Sequence, residues 1–262
     1  MEDRFSDRRP PRLALSDIQK RFGSVVALAG VDFEVEAGEV MALVGDNGAG
    51  KSTLTKIISG AYQADSGSIF FEGRPVHLGS PELASELGIA AVYQDLALCD
   101  NLDVVANLFL GRERGPQRVP VAFRPLAEEA MESEAKQVLS GLAIKLPSLR
   151  VPVAILSGGQ RQAVAVGRAL LWGSKVVLLD EPTAALGVEQ TALVLRLVRQ
   201  LRDRGLAVVL ISHNLADVFK VADRITVLRL GLRVATFVRS EVGPRDVVAA
   251  ITGGSDLPEA FV

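Results

Sequence analysis

Three stretches of the chain are apolar without a break: Val40 to Val44, Val176 to Leu179 and Leu206 to Ile211. Runs of that length suit strands covered on both faces, as in a parallel sheet. Val31 to Glu36 alternates apolar and polar residues with period two, the pattern of a strand with one wet face, and Ala37-Gly38-Glu39 then supplies a turn. Helical spacing is carried by Leu54, Ile57 and Ile58 within 51–59, ended by Gly60, and by Leu193, Leu197 and Leu201 within about 189–204, ended by Gly205. A strand at 175–180, that crossover helix and a strand at 206–212 favour a parallel sheet whose site lies at the carboxyl ends of its strands. Asp180, Ser212 and His213 fall there. Between about 96 and 156 the strand-like runs fade, while 126–141 reads as a helix rich in Ala and Glu. This stretch reads as a helical subdomain inserted into the sheet domain. Short strands at 224–229 and 233–238 and a helix at 244–251 complete the pattern, and no internal repeat is visible.

Composition narrows the function classes. The 262 residues carry 29 Lys and Arg against 31 Asp and Glu, a net charge of −2, so no basic nucleic-acid footprint is expected. Aromatic residues make up only 5%, which argues against base-stacking platforms. Cys99 is the single cysteine, which excludes an intramolecular disulfide and a cysteine-cluster metal site, and it reads as a small buried hydrophobe. The first twelve residues mix both charge signs and lack the apolar stretch of a secretory signal, so they read as a frayed tail. The apolar runs are far shorter than the ~20 residues that span a bilayer.

The most specific chemistry lies at Gly45-Asp46-Asn47-Gly48-Ala49-Gly50-Lys51-Ser52, which matches G-x-x-x-x-G-K-[ST] and sits between a strand and a helix as that motif requires, with Thr53 following. The glycines free the backbone N–H groups to wrap an anion, and the helix beginning near Lys51 aims its partial positive end at it. Lys51 would bridge the β and γ phosphates, and the Ser52 hydroxyl would sit on Mg²⁺. The strand Val176 to Leu179 delivers Asp180 beside this loop, where it can hold Mg²⁺ directly or through water. Glu181, one residue on, can orient an attacking water. Alone, an apolar run ending in Asp-Glu is most often just a strand end; the phosphate loop upstream changes that reading. Ser157-Gly158-Gly159-Gln160 opens another helix, with Ser157 as candidate N-cap and the glycines exposing N–H groups, a second anion cradle. One nucleotide rarely needs two cradles from one chain, so the economical arrangement is two chains, each completing the other's site.

Taken together, Gly45 to Ser52, Leu156 to Gln160 and Asp180-Glu181 resemble the ATP-binding cassette ATPases of ABC transporters, in that family's order and over about 13–253. The resemblance implies an α/β fold: a P-loop NTPase (RecA-like) core with an antiparallel β subdomain and an inserted α-helical subdomain. Residues 13–95 and 165–253 would form the core and antiparallel part, about 96–164 the helical subdomain, and 1–12 and 254–262 the tails. It further implies that Phe22 stacks on adenine, that Gln94 senses Mg²⁺ and the γ-phosphate while linking core to helical subdomain, and that His213 contacts the γ-phosphate. His77 keeps the reading of a satisfied structural histidine.

Two departures stand out. Gly187 follows Ala184-Ala185-Leu186 where the family usually has an aspartate that crosses the dimer interface, and Ala163 stands where many members have Arg. The strings Val92 to Leu98, Gly159 to Val166 and Pro182 to Gly187 resemble the ATP-binding subunits of bacterial simple-sugar importers. That resemblance implies an ATPase using ATP and Mg²⁺, a head-to-tail homodimer, transmembrane permease subunits and, indirectly, an extracytoplasmic sugar-binding protein, with the chain peripheral on the cytoplasmic face of the inner membrane. The permease would dock in a groove beside the Gln94 segment and the helical insert. The alternative is a non-transport ABC ATPase of the translation or DNA-repair type. Such proteins join two cassettes or carry a long coiled coil, and neither feature is seen between Gln94 and Leu156.

Overall fold

A computed structural model describes residues 10–115, 126–142, 144 and 146–254. The long apolar runs form strands β3 (Val40–Gly45), β7 (Val176–Asp180) and β8 (Ala207–Ile211), with β6 (Ile89–Val92), β9 (Arg224–Arg229) and β10 (Leu232–Val238) completing a sheet of order β10-β9-β3-β8-β7-β6. All its pairings are parallel except β9 with β10. Residues 176–179 and 207–211 are buried, as uninterrupted aliphatic strands between two covering layers must be.

The second sheet is antiparallel, with order β2-β1-β4-β5 and strands β1 (Leu13–Phe22), β2 (Val25–Val35), β4 (Ser66–Phe71) and β5 (Arg74–Val76). The period-two stretch falls in β2: Val31, Phe33 and Val35 are buried while Asp32 and Glu34 are half-buried. Helix α1 (Lys51–Ile58) shares one apolar cluster with both sheets through Leu54, Ile57 and Ile58 against Phe33, Val35, Met41 and Leu43. Helix α2 (Pro81–Glu86) adds Ala84 to it.

Helices α3 (Val104–Phe109), α4 (Glu128–Gly141) and α5 (Gly158–Leu171) build a second centre around Leu108, Phe109, Met131, Leu139 and Val164. Helix α5 is unbroken and serves two cores. Val164 faces the helical cluster, while Ala163, Ala165, Val166 and Ala169 pack with β7, β8 and α6 (Val188–Asp203). The division between helical part and sheet therefore runs along the faces of this helix. The buried positions of α6 are Val194, Leu195, Leu197, Val198 and Leu201; Leu193, expected in that stripe, is half-buried because the apolar face turns toward 194 and 198. Helices α7 (Leu215–Val221) and α8 (Pro244–Thr252) cover β9 and β10.

Other expectations are revised at single residues. Cys99 is half-buried, since the loop that holds it is tied down through its backbone. His77 is exposed after β5 instead of satisfied in the interior. Residues 1–9 and 255–262 of the expected tails lie outside the described residues, while Pro11 is buried and Arg12 pairs with Glu72.

Candidate functional site: the phosphate loop and strand ends

The chain leaves β3 at Gly45 and enters α1 at Lys51, with Gly50 as the N-terminal flanking residue at φ +105°. Packing decides two of the three glycines. A Cβ on Gly45 would approach the Leu228 carbonyl oxygen more closely than the 3.0 Å limit, and one on Gly50 would lie 2.7 Å from Leu28 Cδ2 and 2.8 Å from the Ala27 carbonyl. Gly48, at φ +80°, has nothing within 4 Å. The loop is thus pressed against β2 and the β9–β10 turn, and Gly231 N–H donates to the Ala49 carbonyl at 3.1 Å. Gly48 alone of the three has open space where a Cβ would point, so Gly45 and Gly50 answer to packing as well as to the loop's path. Asp46 and Asn47 are exposed, Ala49 is buried, Ser52 is exposed and Thr53 half-buried.

Within this loop the Lys51 ammonium donates to the carbonyls of Gly45 at 2.7 Å and Asp46 at 2.9 Å. Burial lowers its pKa, and Glu181, Asp46 and Asp180 pull it back up. That coupling places the two strand-end carboxylates within electrostatic reach of the lysine. Asp180 ends β7 opposite Ile211 of β8, and burial followed by the charge of Glu181 raises its pKa. Two neighbouring carboxylates in a half-buried pocket invite a cation.

Glu181 has φ +50°, unusual for a residue with a side chain, and its N–H donates to the Ile211 carbonyl at 2.9 Å. Such strain persists where the surroundings over-determine it, as at functional sites. Its carboxylate, 17% exposed, meets His213 Nδ1 at 2.8 Å. The imidazole, 74% exposed, follows β8 and the buried Ser212, whose hydroxyl accepts from Asn214 N–H. Gln94 is exposed just past β6, whose Val92 pairs with Leu179, so it emerges beside Asp180.

Ser52 hydroxyl, Gln94 amide and Asp180 carboxylate are oxygen donors suited to a hard divalent cation. Among the described residues no group of three His, Cys, Asp or Glu could hold a metal. The chemistry of these oxygen donors suits Mg²⁺, and a cation held by them would draw its remaining ligands from phosphate and water.

Phe22 is 44% exposed and meets Tyr62 edge to face at 5.3 Å, with Lys20 Nζ 5.6 Å from its ring. Tyr62 belongs to this aromatic edge and was missed because nothing in its local sequence marks it. Ser157 caps α5 reciprocally: its hydroxyl accepts from Gln160 N–H at 3.3 Å, and Gln160 Oε1 accepts from Ser157 N–H at 3.0 Å. Cβ atoms on Gly158 and Gly159 would meet Leu186 at 2.6 Å and Gln190 at 3.2 Å, so these glycines also let α5 close on α6. Gly187 occupies the N-cap of α6 without a side-chain cap, with open space where its side chain would point.

The ABC transporter family profile matches residues 28–184. The chain is similar to the fructose import ATP-binding protein of Rhizobium meliloti, 48% identical over 254 residues that cover 96% of this chain and 98% of that protein. It is also similar to the xylose/arabinose import ATP-binding protein of Sulfolobus acidocaldarius, 45% identical over 92% of this chain and 93% of that one. Among solved structures, an ATP-binding cassette of an ABC transporter in its ADP conformation superposes with a TM-score of 0.79 at 28% identity, covering 94% of this chain and 96% of that one.

Proposed function

This chain belongs to the ABC transporter family, and from that membership we propose that it is the ATP-hydrolysing subunit of an importer for a simple sugar. The observation that carries the enzymatic part is the convergence of Lys51, Asp180, Glu181 and His213 at the ends of three parallel strands, with Glu181 held by His213 at 2.8 Å. The substrate class rests on the fructose and xylose/arabinose import proteins, matched over nearly their full lengths, which favours the importer over a translation or repair ATPase.

In this reading the phosphate loop binds the ATP phosphates, Lys51 giving up its carbonyl partners to meet the β and γ oxygens. Ser52, Asp180 and Gln94 would hold Mg²⁺, which when bound neutralises phosphate charge. Glu181 orients a water for in-line attack on the γ-phosphorus and takes its proton as the bond to the bridging oxygen breaks, leaving ADP and phosphate. His213 fixes that carboxylate and faces the γ-phosphate, and Phe22 stacks on adenine. Ser157 to Gln160 completes the site of a second copy in a head-to-tail homodimer.

Residues 13–95 and 165–253 act as the core and about 96–164 as the helical arm that drives transmembrane permease subunits. A binding protein outside the membrane selects the sugar, which does not touch this chain. None of the described helices is long and apolar enough to cross a membrane. In this reading the chain sits at the cytoplasmic face and is attached through the permease.

Turnover of MgATP by the purified chain tests this. Glu181→Gln should bind ATP and stall hydrolysis, and Lys51→Ala should weaken both; undiminished turnover in Glu181→Gln refutes the role given to that carboxylate. Copurification from gently solubilised host membranes with a polytopic permease supports the importer, whereas recovery with ribosomes or repair proteins overturns it.

A further inference from the structure

Helix α5 presents Arg161 and Arg168 seven residues apart, two turns along one face. Arg168 donates to the carbonyls of Ala97 at 3.0 Å and Leu96 at 3.3 Å. Arg161 pairs with Asp100 at 3.2 Å and donates to the Ala154 carbonyl at 3.0 Å. Both side chains thus grip one short segment, 96–100, which begins two residues after Gln94. Ala97 sits at φ +49°, a conformation that costs energy for an alanine.

Arg168 is an unusual residue for this work. It is half-buried, and the described residues give it no carboxylate partner; the two carbonyls and the face of Trp172, 5.9 Å away, satisfy it. Arg112 covers the same indole at 4.3 Å and donates to Ser85 Oγ at 2.7 Å. A desolvated guanidinium is costly unless its donors are used. An apolar side chain there would leave both carbonyls without their donor.

We infer that Arg161 and Arg168 are positioning residues that lock the Gln94 segment onto α5, so that Gln94 and the Ser157–Gln160 cradle move as one body. This rests on the ATPase reading for its catalytic consequence, but the mechanical lock stands on geometry alone. When the cradle engages its anion, α5 carries the 96–100 segment with it and sets Gln94 at the end of β7. Nucleotide engagement at one end of α5 is thereby reported two turns and one strand away without any further contact.

Hydrogen exchange on the full nucleotide-free chain tests the lock. In Arg168→Met the peptide covering 96–102, where Cys99 N–H donates to buried Asn107, should exchange faster by on the order of tenfold, while α6 is unchanged. Arg161→Gln, at a more open position, gives a second variant should the first fold poorly. Unchanged exchange in both overturns the lock.

The catalytic consequence is tested by a cycle with Gln94→Ala. Arg168→Met should lower kcat by on the order of tenfold in the parent at unchanged ATP affinity and by little in the Gln94→Ala background, with Arg168→Lys restoring part of the loss. Equal losses in both backgrounds overturn the action through Gln94. An inactive parent chain would instead count against the ATPase reading, leaving exchange to decide the lock.

Discussion

The glycines of the phosphate loop should separate into a structural one and a ligand-facing one. Gly45→Ala brings a methyl inside 3.0 Å of the Leu228 carbonyl and to 3.1 Å of the Ala49 methyl. Overpacking of that kind costs about 1–3 kcal/mol. Holding alanine at φ +152°, a conformation nearly reserved for glycine, adds about 1–3 kcal/mol. Gly48→Ala meets no atom within 4 Å and bears only the cost of φ +80°, about 1–2 kcal/mol. At about 2–4 °C per kcal/mol for a chain of this size, Gly48→Ala should lower Tm by about 2–8 °C. Gly45→Ala should lower it by about two to three times as much. Gly48→Ala should nonetheless lose nucleotide affinity, since its methyl stands on the open side of the loop. Thermal unfolding by circular dichroism, with and without ATP, reads both effects. Equal melting of the two variants, or a Gly45→Ala protein as stable as its parent, would refute the packing argument.

Asn107 is fully buried in α3; its side chain accepts from Cys99 N–H and donates to the carbonyls of Cys99, Leu102 and Asp103. Asn107→Leu should cost about 2–4 kcal/mol, seen as a lower urea midpoint, and an unchanged midpoint would mean that other contacts hold the loop. Glu39 is buried, and desolvation raises its pKa despite the N–H of Glu36 and the charge of Arg224. A carboxyl with a raised folded pKa contributes stability below its unfolded pKa and loses it as pH rises through the folded one. Unfolding curves across that window should therefore show Glu39→Gln gaining on the parent as pH rises; a constant difference would contradict the shift. Gly187→Asp places an acceptor at the bare N-cap of α6 and should raise stability by a few tenths of a kcal/mol, read as a slightly higher melting temperature. If Tm falls, the open space beside Gly187 does not admit the side chain.

Some of this protein is written in short, contiguous stretches. The three apolar runs became β3, β7 and β8 because a strand buried on both faces has no polar alternation to hide, and the phosphate loop declares itself through glycines and a lysine adjacent in sequence. The capping box at Ser157 is equally local, its partners lying three residues apart. The sequence by itself thus determined the parallel core and the order of its motifs. Which glycines answer to packing is a tertiary matter: Gly45 is constrained by Leu228 and Gly158 by Leu186, partners no pattern announces. The same holds for Tyr62 beside Phe22, for Asn107 tying a loop, and for Arg161 and Arg168 gripping 96–100. Hydrophobic periodicity tells which face of an element is buried, but the partner across that face is chosen by the chain's path. Only the tertiary structure brings the 96–100 segment against Arg161 and Arg168 of α5, far apart in sequence.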